Sequence, residues 1–193
     1  MGAIHRDERL ERVIQQALDD GRSVWVVGDI HGHLKTFKAL LDILWHPLQK
    51  RETDEHDPSE DLVICLGDLI DRGPDSLGVL ELVRDTDNIH SIRGNHDEML
   101  RLSVSPKHGK MMKSWLKYGG VETLQSFSDD PDEQIEIARE WLPFIESLPT
   151  ELVLNRHRLV HAGYDLSPVW KGQNLIDKTL EDQTNKDRMW SRT

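Results

Sequence analysis

Two hydrophobic patterns alternate along the chain. In one, apolar residues recur every three to four positions and predict amphipathic helices; in the other, short continuous apolar runs predict buried strands. Leu10, Val13, Ile14, Ala17 and Leu18 carry the helical period over residues 7–20, and Gly21 is placed to end that helix. Val24-Trp25-Val26-Val27 then reads as a strand over residues 23–27, with Trp25 in the core. Leu34, Phe37, Leu40, Leu41 and Leu44 mark a second helix, and residues 47–61 are polar enough to predict a solvated surface loop. A second continuous strand spans Leu62–Leu66, a helix spans Ser76–Arg84, and a third strand spans Asn88–Ile92.

Residues 97–148 are helical in character. Asp130-Pro131 is a helix start, with Asp130 as cap, Pro131 in the first turn and Glu133 three beyond the cap, and Pro143 is expected to end or kink that helix. Glu151–Leu154 and Arg158–Val160 predict a strand pair around Asn155-Arg156-His157, and a weak helix is expected near 174–182. Strands alternating with helices predict an α/β fold with a parallel sheet, whose functional groups gather beyond the carboxyl ends of the strands.

Those strand ends hold the candidate chemistry. Val24–Val27 runs through Gly28 into Asp29 and His31, where side chains two apart on an extended backbone aim to one side. The second strand delivers Asp68 and Asp71 through Gly67, the third delivers Asn95 and His96 through Gly94, and the last delivers His161 ahead of Ala162-Gly163. Taken singly, each is an ordinary turn residue, cap or hydrogen-bonded histidine. Together they offer only oxygen and nitrogen ligands, which suits hard or borderline divalent cations and argues against a structural thiolate zinc site.

The 35 acidic and 24 basic residues give a formal net charge of -11. That balance opposes broad nucleic-acid binding, which needs basic surface, although placed arginines can still form a cationic pocket. No run approaches the roughly 18 apolar residues of a membrane span, so no membrane partner is expected. The single cysteine, Cys65, excludes an internal disulfide and reads as a buried core residue in a cytoplasmic, reducing setting. Trp115 and Trp141 fall on helical stretches and are expected to pack.

Gly28-Asp29-Ile30-His31-Gly32, Gly67-Asp68-Leu69-Ile70-Asp71-Arg72-Gly73, Arg93-Gly94-Asn95-His96-Asp97 and His161-Ala162-Gly163 stand in the order of the calcineurin-like metallophosphoesterases. More narrowly, the chain resembles the phosphoprotein phosphatase branch and its small bacterial and phage serine/threonine protein phosphatases, from about Val24 to Arg192. The resemblance implies a layered β-sandwich flanked by helices and two divalent ions, commonly Mn²⁺, with Fe, Zn, Ni or Mg as alternatives. It implies Asp29 and His31 on one ion, Asn95 and His161 on the other, and Asp68 bridging them. His96 is then the general acid oriented by Asp71, Arg72 and Arg93 grip phosphate, and Arg192 adds a further phosphate contact. The implied reaction is hydrolysis of a phosphorylated protein or small phosphoester by direct attack of a metal-bridging hydroxide.

Two departures qualify the likeness. Relatives carry one more metal-binding histidine in a downstream Gly-His block, whereas no histidine follows His161 here. Residues 1–193 are therefore read as a single metallophosphoesterase domain shortened at its C-terminal end, with closing strands absent and the second ion held less tightly. His33, His108 and His157 are conceivable substitutes, with surface or turn roles favoured. Asp97 replaces the glutamate usual in protein phosphatases, and aspartate there is common in symmetrical dinucleoside tetraphosphate hydrolases, the alternative activity. A third reading is an inactive member that keeps the sheet and binds a partner.

Overall fold

The computed structural model describes residues 6–46, 57–105, 111–171, 174–176, 179–180 and 182–191. Helix α1 (Glu8–Asp19) leads into β1 (Val24–Val27), α2 (Leu34–Leu44), β2 (Leu62–Cys65), α3 (Ser76–Asp85) and β3 (Ile89–Ser91). The three strands form one parallel sheet in the order β1-β2-β3, with Val24 opposite Leu62 and Val63 opposite Ile89. The α/β reading with a parallel sheet thus holds. Central β2 is buried at all four residues, whereas β1 is at the edge and leaves Val26 48% exposed. Trp25 is accordingly half-buried, packing its ring on the core while its Nε1 donates to the buried carboxylate of Asp61.

Apolar side chains cover both faces of the sheet. Val63 and Cys65 belong to the larger core with α2, α3 and the helices that follow β3, while Leu62 and Ile64 pack with Ile14 and Ala17 of α1 and with Leu152. Burial pushes the Cys65 thiol well above its usual range, so it stays an inert core group.

The stretch after β3 is helical, as its pattern predicts: α4 (Asn95–Val104), α5 (Met112–Trp115), a π-type turn at Leu116–Gly120, α6 (Val121–Phe127), α7 (Pro131–Glu140) and α8 (Leu142–Ser147). Asp130 caps α7 through its side chain, as expected. The break between α7 and α8 falls ahead of Pro143, which sits in the first turn of α8, where its missing N–H costs nothing.

Strands β4 (Glu151–Val153) and β5 (Arg158–Val160) form the expected antiparallel pair. Residues 174–176 overturn the expected helix: β7 (Asn174–Ile176) pairs antiparallel with β6 (Val169–Lys171). Two residues, one of them glycine, separate these strands in sequence, which is the spacing of a tight hairpin. A helix comes later as α9 (Asn185–Trp190), opened by a Thr184/Asp187 capping box. Buried Arg188 of α9 donates to the buried Glu151 carboxylate, which also accepts from Arg158 and Tyr164. Burial alone would raise the Glu151 carboxyl, but hydrogen bonds from Tyr164 and Arg188 hold it below the usual range.

Loops at the carboxyl ends of the strands are stitched to one another through backbone groups. The carbonyl of Asp68 accepts from the N–H of Ile30 (3.1 Å) and of His31 (2.9 Å). The fully buried Asp97 carboxylate accepts from the N–H groups of Asp68 (2.9 Å), Leu69 (3.1 Å) and Gly94 (2.8 Å). At Gly94 a Cβ would lie 2.2 Å from an Asp68 carboxylate oxygen, so no side chain is tolerated there. Burial, and next the Asp68 charge, push the Asp97 carboxyl up to about 7, while N–H bonds from Gly94 and Leu69 pull the other way.

Two measurements follow from this packing. Ile64→Ala, at a fully buried position in β2, is expected to lose about 2–5 kcal/mol in urea denaturation. Because Asp97 binds its proton more tightly when folded, metal-free protein loses stability as pH rises from about 4 to about 7. The slope is at most about 1.4 kcal/mol per pH unit from this one group, and Asp97→Asn removes that contribution to denaturation midpoints measured in chelator.

Candidate metal centre

Each strand of the parallel sheet places its polar residues at one end. Asp29 and His31 follow β1, Asp68, Asp71 and Arg72 follow β2, and Arg93, Asn95 and His96 follow β3, with Asn95 opening α4. His161 follows β5 and is held there by the N–H of Ala162 donating to the carbonyl of Arg188 at 2.7 Å.

The way they converge differs from the extended i,i+2 geometry expected for Asp29 and His31. His31 takes a left-handed backbone (φ 48°), as do Asp68 (51°), Asp71 (75°) and Arg72 (69°). Such angles are uncommon for residues other than glycine and strain the backbone. Clustering four of them lets consecutive side chains turn inward toward a shared point.

Two imidazoles flank Asp68. His31 is buried, and its Nδ1 donates to the carbonyl of Ile70 at 2.8 Å. Its Nε2 therefore presents a lone pair, 3.7 Å from Asp68 Oδ2 and 3.7 Å from Asp29 Oδ2. Burial lowers the His31 pKa, which keeps that lone pair available. His161 repeats the arrangement: Nδ1 meets the carbonyl of Leu66 at 2.7 Å, and Nε2 lies 3.5 Å from Asp68 Oδ1. The same Nε2 is 2.7 Å from Asn95 Oδ1. With Nδ1 donating, two acceptors face each other there, an arrangement that a proton or cation between them resolves.

Ligand atoms of Asp29, Asp68 and His161 lie within 4.8 Å of one another, as do those of His31, Asp68 and His96. The donor set thus fits divalent cations: carboxylate oxygens, neutral imidazole nitrogens and one amide oxygen, all converging on Asp68.

His96 sits beside this cluster with its ring edge-on to His31, centroids 4.8 Å apart. Its Nδ1 donates to Asp71 Oδ2 at 2.6 Å, and its N–H donates to Asp68 Oδ1 at 2.9 Å. Arg72 spans the two rings, with Nη1 2.6 Å from His31 Nε2 and Nη2 2.9 Å from His96 Nε2. Asp71 itself is fully buried and accepts from Trp115 Nε1 and Thr123 Oγ1, contacts that the packing role expected for Trp115 did not anticipate. The only sequence signal there is Gly119-Gly120 between Trp115 and Thr123, which interrupts a helical stretch.

Arg93 is turned elsewhere: its Nη1 donates to the carbonyls of Ile145 and Glu146 at the end of α8, and its Nε is 3.3 Å from Glu98. Arg192 and His108 lie outside the described residues. His33 and His157 are exposed, His33 at the start of α2. No helix among the described residues is long and apolar enough to cross a membrane.

Residues 22–192 match the calcineurin-like phosphoesterase family. Serine/threonine-protein phosphatase 1 of Salmonella typhimurium is 34% identical over 171 residues, covering 81% of this chain and 72% of that protein. Serine/threonine-protein phosphatase 2 of Escherichia coli is 31% identical over 161 residues, covering 82% and 66%. A symmetrical bis(5'-nucleosyl)-tetraphosphatase of Nitrosospira multiformis is 32% identical over 149 residues, covering 77% of this chain but 45% of that protein. A solved protein serine/threonine phosphatase from Saccharomyces cerevisiae shares the fold, with a TM-score of 0.51 at 16% identity over 95% of this chain and 58% of its own. The chain therefore spans about two thirds of the bacterial phosphatases and under half of the tetraphosphatase. With the strand-end donors gathered on Asp68 and a family match across nearly its whole length, this chain belongs to the calcineurin-like metallophosphoesterases.

Proposed function

We propose that this chain is the metal-binding domain of a serine/threonine protein phosphatase, a single domain over residues 1–193 that hydrolyses phosphomonoesters without a phosphoenzyme. The observation that carries the reading is Asp68 with one carboxylate oxygen toward each of two imidazole nitrogens. Asp29 and His31 would hold one divalent cation and Asn95 and His161 the other, with Asp68 placed to serve both. Oxygen and neutral nitrogen donors favour Mn²⁺ as the ion to supply first, with Fe, Zn, Ni and Mg as competitors. Bound divalent cations supply charge that draws in phosphoryl oxygens and lowers the pKa of coordinated water.

The residues of the chain perform the remaining work. Arg72, spread across His31 and His96, offers a planar pair of donors that phosphoryl oxygens can take over from the imidazoles. Arg93 reaches the phosphate by exchanging the α8 carbonyls for it, and Arg192 adds a donor from the C-terminal side. His96 delivers a proton through Nε2 to the departing serine or threonine oxygen, a basic leaving group that needs one. Asp71 fixes the ring through Nδ1 and stabilises the charged imidazole. The free, buried thiol of Cys65 suits a reducing cytoplasmic compartment.

Asp97 and the tetraphosphatase relative favour a second substrate class, symmetrical dinucleoside tetraphosphates. Turnover of a phosphoserine peptide against diadenosine tetraphosphate separates the two, and the peptide is expected to win. With p-nitrophenyl phosphate, chelator abolishes activity and Mn²⁺ restores it, while Asp68→Asn lowers kcat by at least ~100-fold and weakens Mn²⁺ binding by calorimetry. His96→Asn costs roughly 10²–10⁴-fold on the phosphopeptide. Folded protein without metal-dependent turnover, or an Asp68→Asn variant as active as the parent, overturns the assignment.

A further inference from the structure

Asp71 is the least accessible member of the centre, and besides His96 its environment is built by Trp115 and Thr123, which belong to the helical stretch after α4. Its carboxylate accepts from three donors: Thr123 Oγ1 on Oδ1 (2.6 Å), Trp115 Nε1 across both oxygens (2.9 and 3.0 Å), and His96 Nδ1 on Oδ2 (2.6 Å). Its own N–H points to Thr123 Oγ1 (2.9 Å) and Ser76 Oγ (3.1 Å), and those two hydroxyls are 3.1 Å apart. Asp71, Ser76, Trp115 and Thr123 are all fully buried. The Thr123 hydroxyl gives its one proton to the carboxylate and receives from Asp71 N–H and Ser76, so its hydrogen-bonding capacity is filled.

The segment that supplies Trp115 and Thr123 also grips the next residue. Arg72 N–H donates to the carbonyl of Gly119 at 3.1 Å. Gly119 has φ 117°, and a Cβ there would lie 2.7 Å from Arg72 N, so only glycine lets the π-type turn close on the loop. Asp71 and Arg72, both left-handed, are thus clamped from one side by residues 115–123.

We propose that Thr123 and Trp115 are positioning residues for proton transfer by His96. They orient the Asp71 carboxylate, the carboxylate orients the imidazole, and the imidazole keeps Nε2 facing the departing oxygen. Neither touches substrate. The inference rests on the phosphatase reading above and deepens it by naming what aims its acid. A purely architectural role for the same contacts predicts losses that do not depend on the leaving group. A positioning role predicts losses that grow with the leaving group's need for a proton.

The test compares the parent chain with Thr123→Val, Thr123→Ser and Trp115→Phe, loaded with Mn²⁺, on a phosphoserine peptide and on p-nitrophenyl phosphate. Thr123→Val is expected to lower kcat on the peptide by roughly 10- to 100-fold, a fraction of what a well-placed general acid contributes. KM should stay within about twofold, and kcat on p-nitrophenyl phosphate, whose leaving group departs unprotonated, should fall less than about threefold. Thr123→Ser restores the peptide rate, and Trp115→Phe shows the same leaving-group bias. Should Thr123→Val fail to fold by circular dichroism, Trp115→Phe carries the comparison. Equal losses on both substrates, or none on either, overturn the inference alone. An inactive parent chain overturns the phosphatase reading and this inference with it.

Discussion

Asp68 is tied down by hydrogen bonds at its N–H, its carbonyl and one carboxylate oxygen, and the geometry of the centre follows from that. Its carbonyl accepts from the loop after β1, its N–H is taken by Asp97 in the first turn of α4, and one carboxylate oxygen accepts from His96 N–H. The two oxygens then face His31 on one side and His161 on the other. A carboxylate fixed this way cannot rotate to satisfy one neighbour at the expense of another. The distances to both imidazoles are therefore a property of the folded backbone and not of a mobile side chain.

The supports of this residue come from separate layers of the fold. The parallel order β1-β2-β3 brings three loops to one end, and the ladder register sets their spacing. The Glu151–Arg188 cluster anchors α9, whose Arg188 carbonyl fixes the loop carrying His161. Buried charges of this kind are weak sources of net stability, but breaking one partner is costly. Their contribution here is to hold β4, β5 and α9 in one arrangement.

Much of this was legible in the chain itself. Continuous runs at Val24–Val27 and Leu62–Cys65 gave strands, and the 3.6-residue period gave α1, α2 and α3, because burial on one or both faces imposes those patterns directly. The strand-end residues were legible too, since glycine followed by Asp, Asn or His after an apolar run is a local signature. What could not be read were features made by distant partners. Trp115 looked like a packing residue, and nothing near it announces a carboxylate 44 positions earlier. Likewise, Asp97 appeared only as a substitution of one acid for another, whereas it closes the gap between two loops. The hairpin formed by Val169–Lys171 and Asn174–Ile176 stands where the pattern near 174–182 suggests a helix, because its pairing is made between strands and is not carried by the period of either one.

The left-handed residues around the centre carry one more consequence. His31, Asp68, Asp71 and Arg72 each pay on the order of 1–2 kcal/mol for a backbone shape that glycine adopts freely. Glycine at any of them would relax the loop while deleting a side chain that lines or supports the donor cluster. Evolution or engineering that rewards thermal resistance alone would thus drift toward emptying this corner of the molecule. Keeping all four side chains in place therefore costs stability that this corner of the molecule could otherwise have.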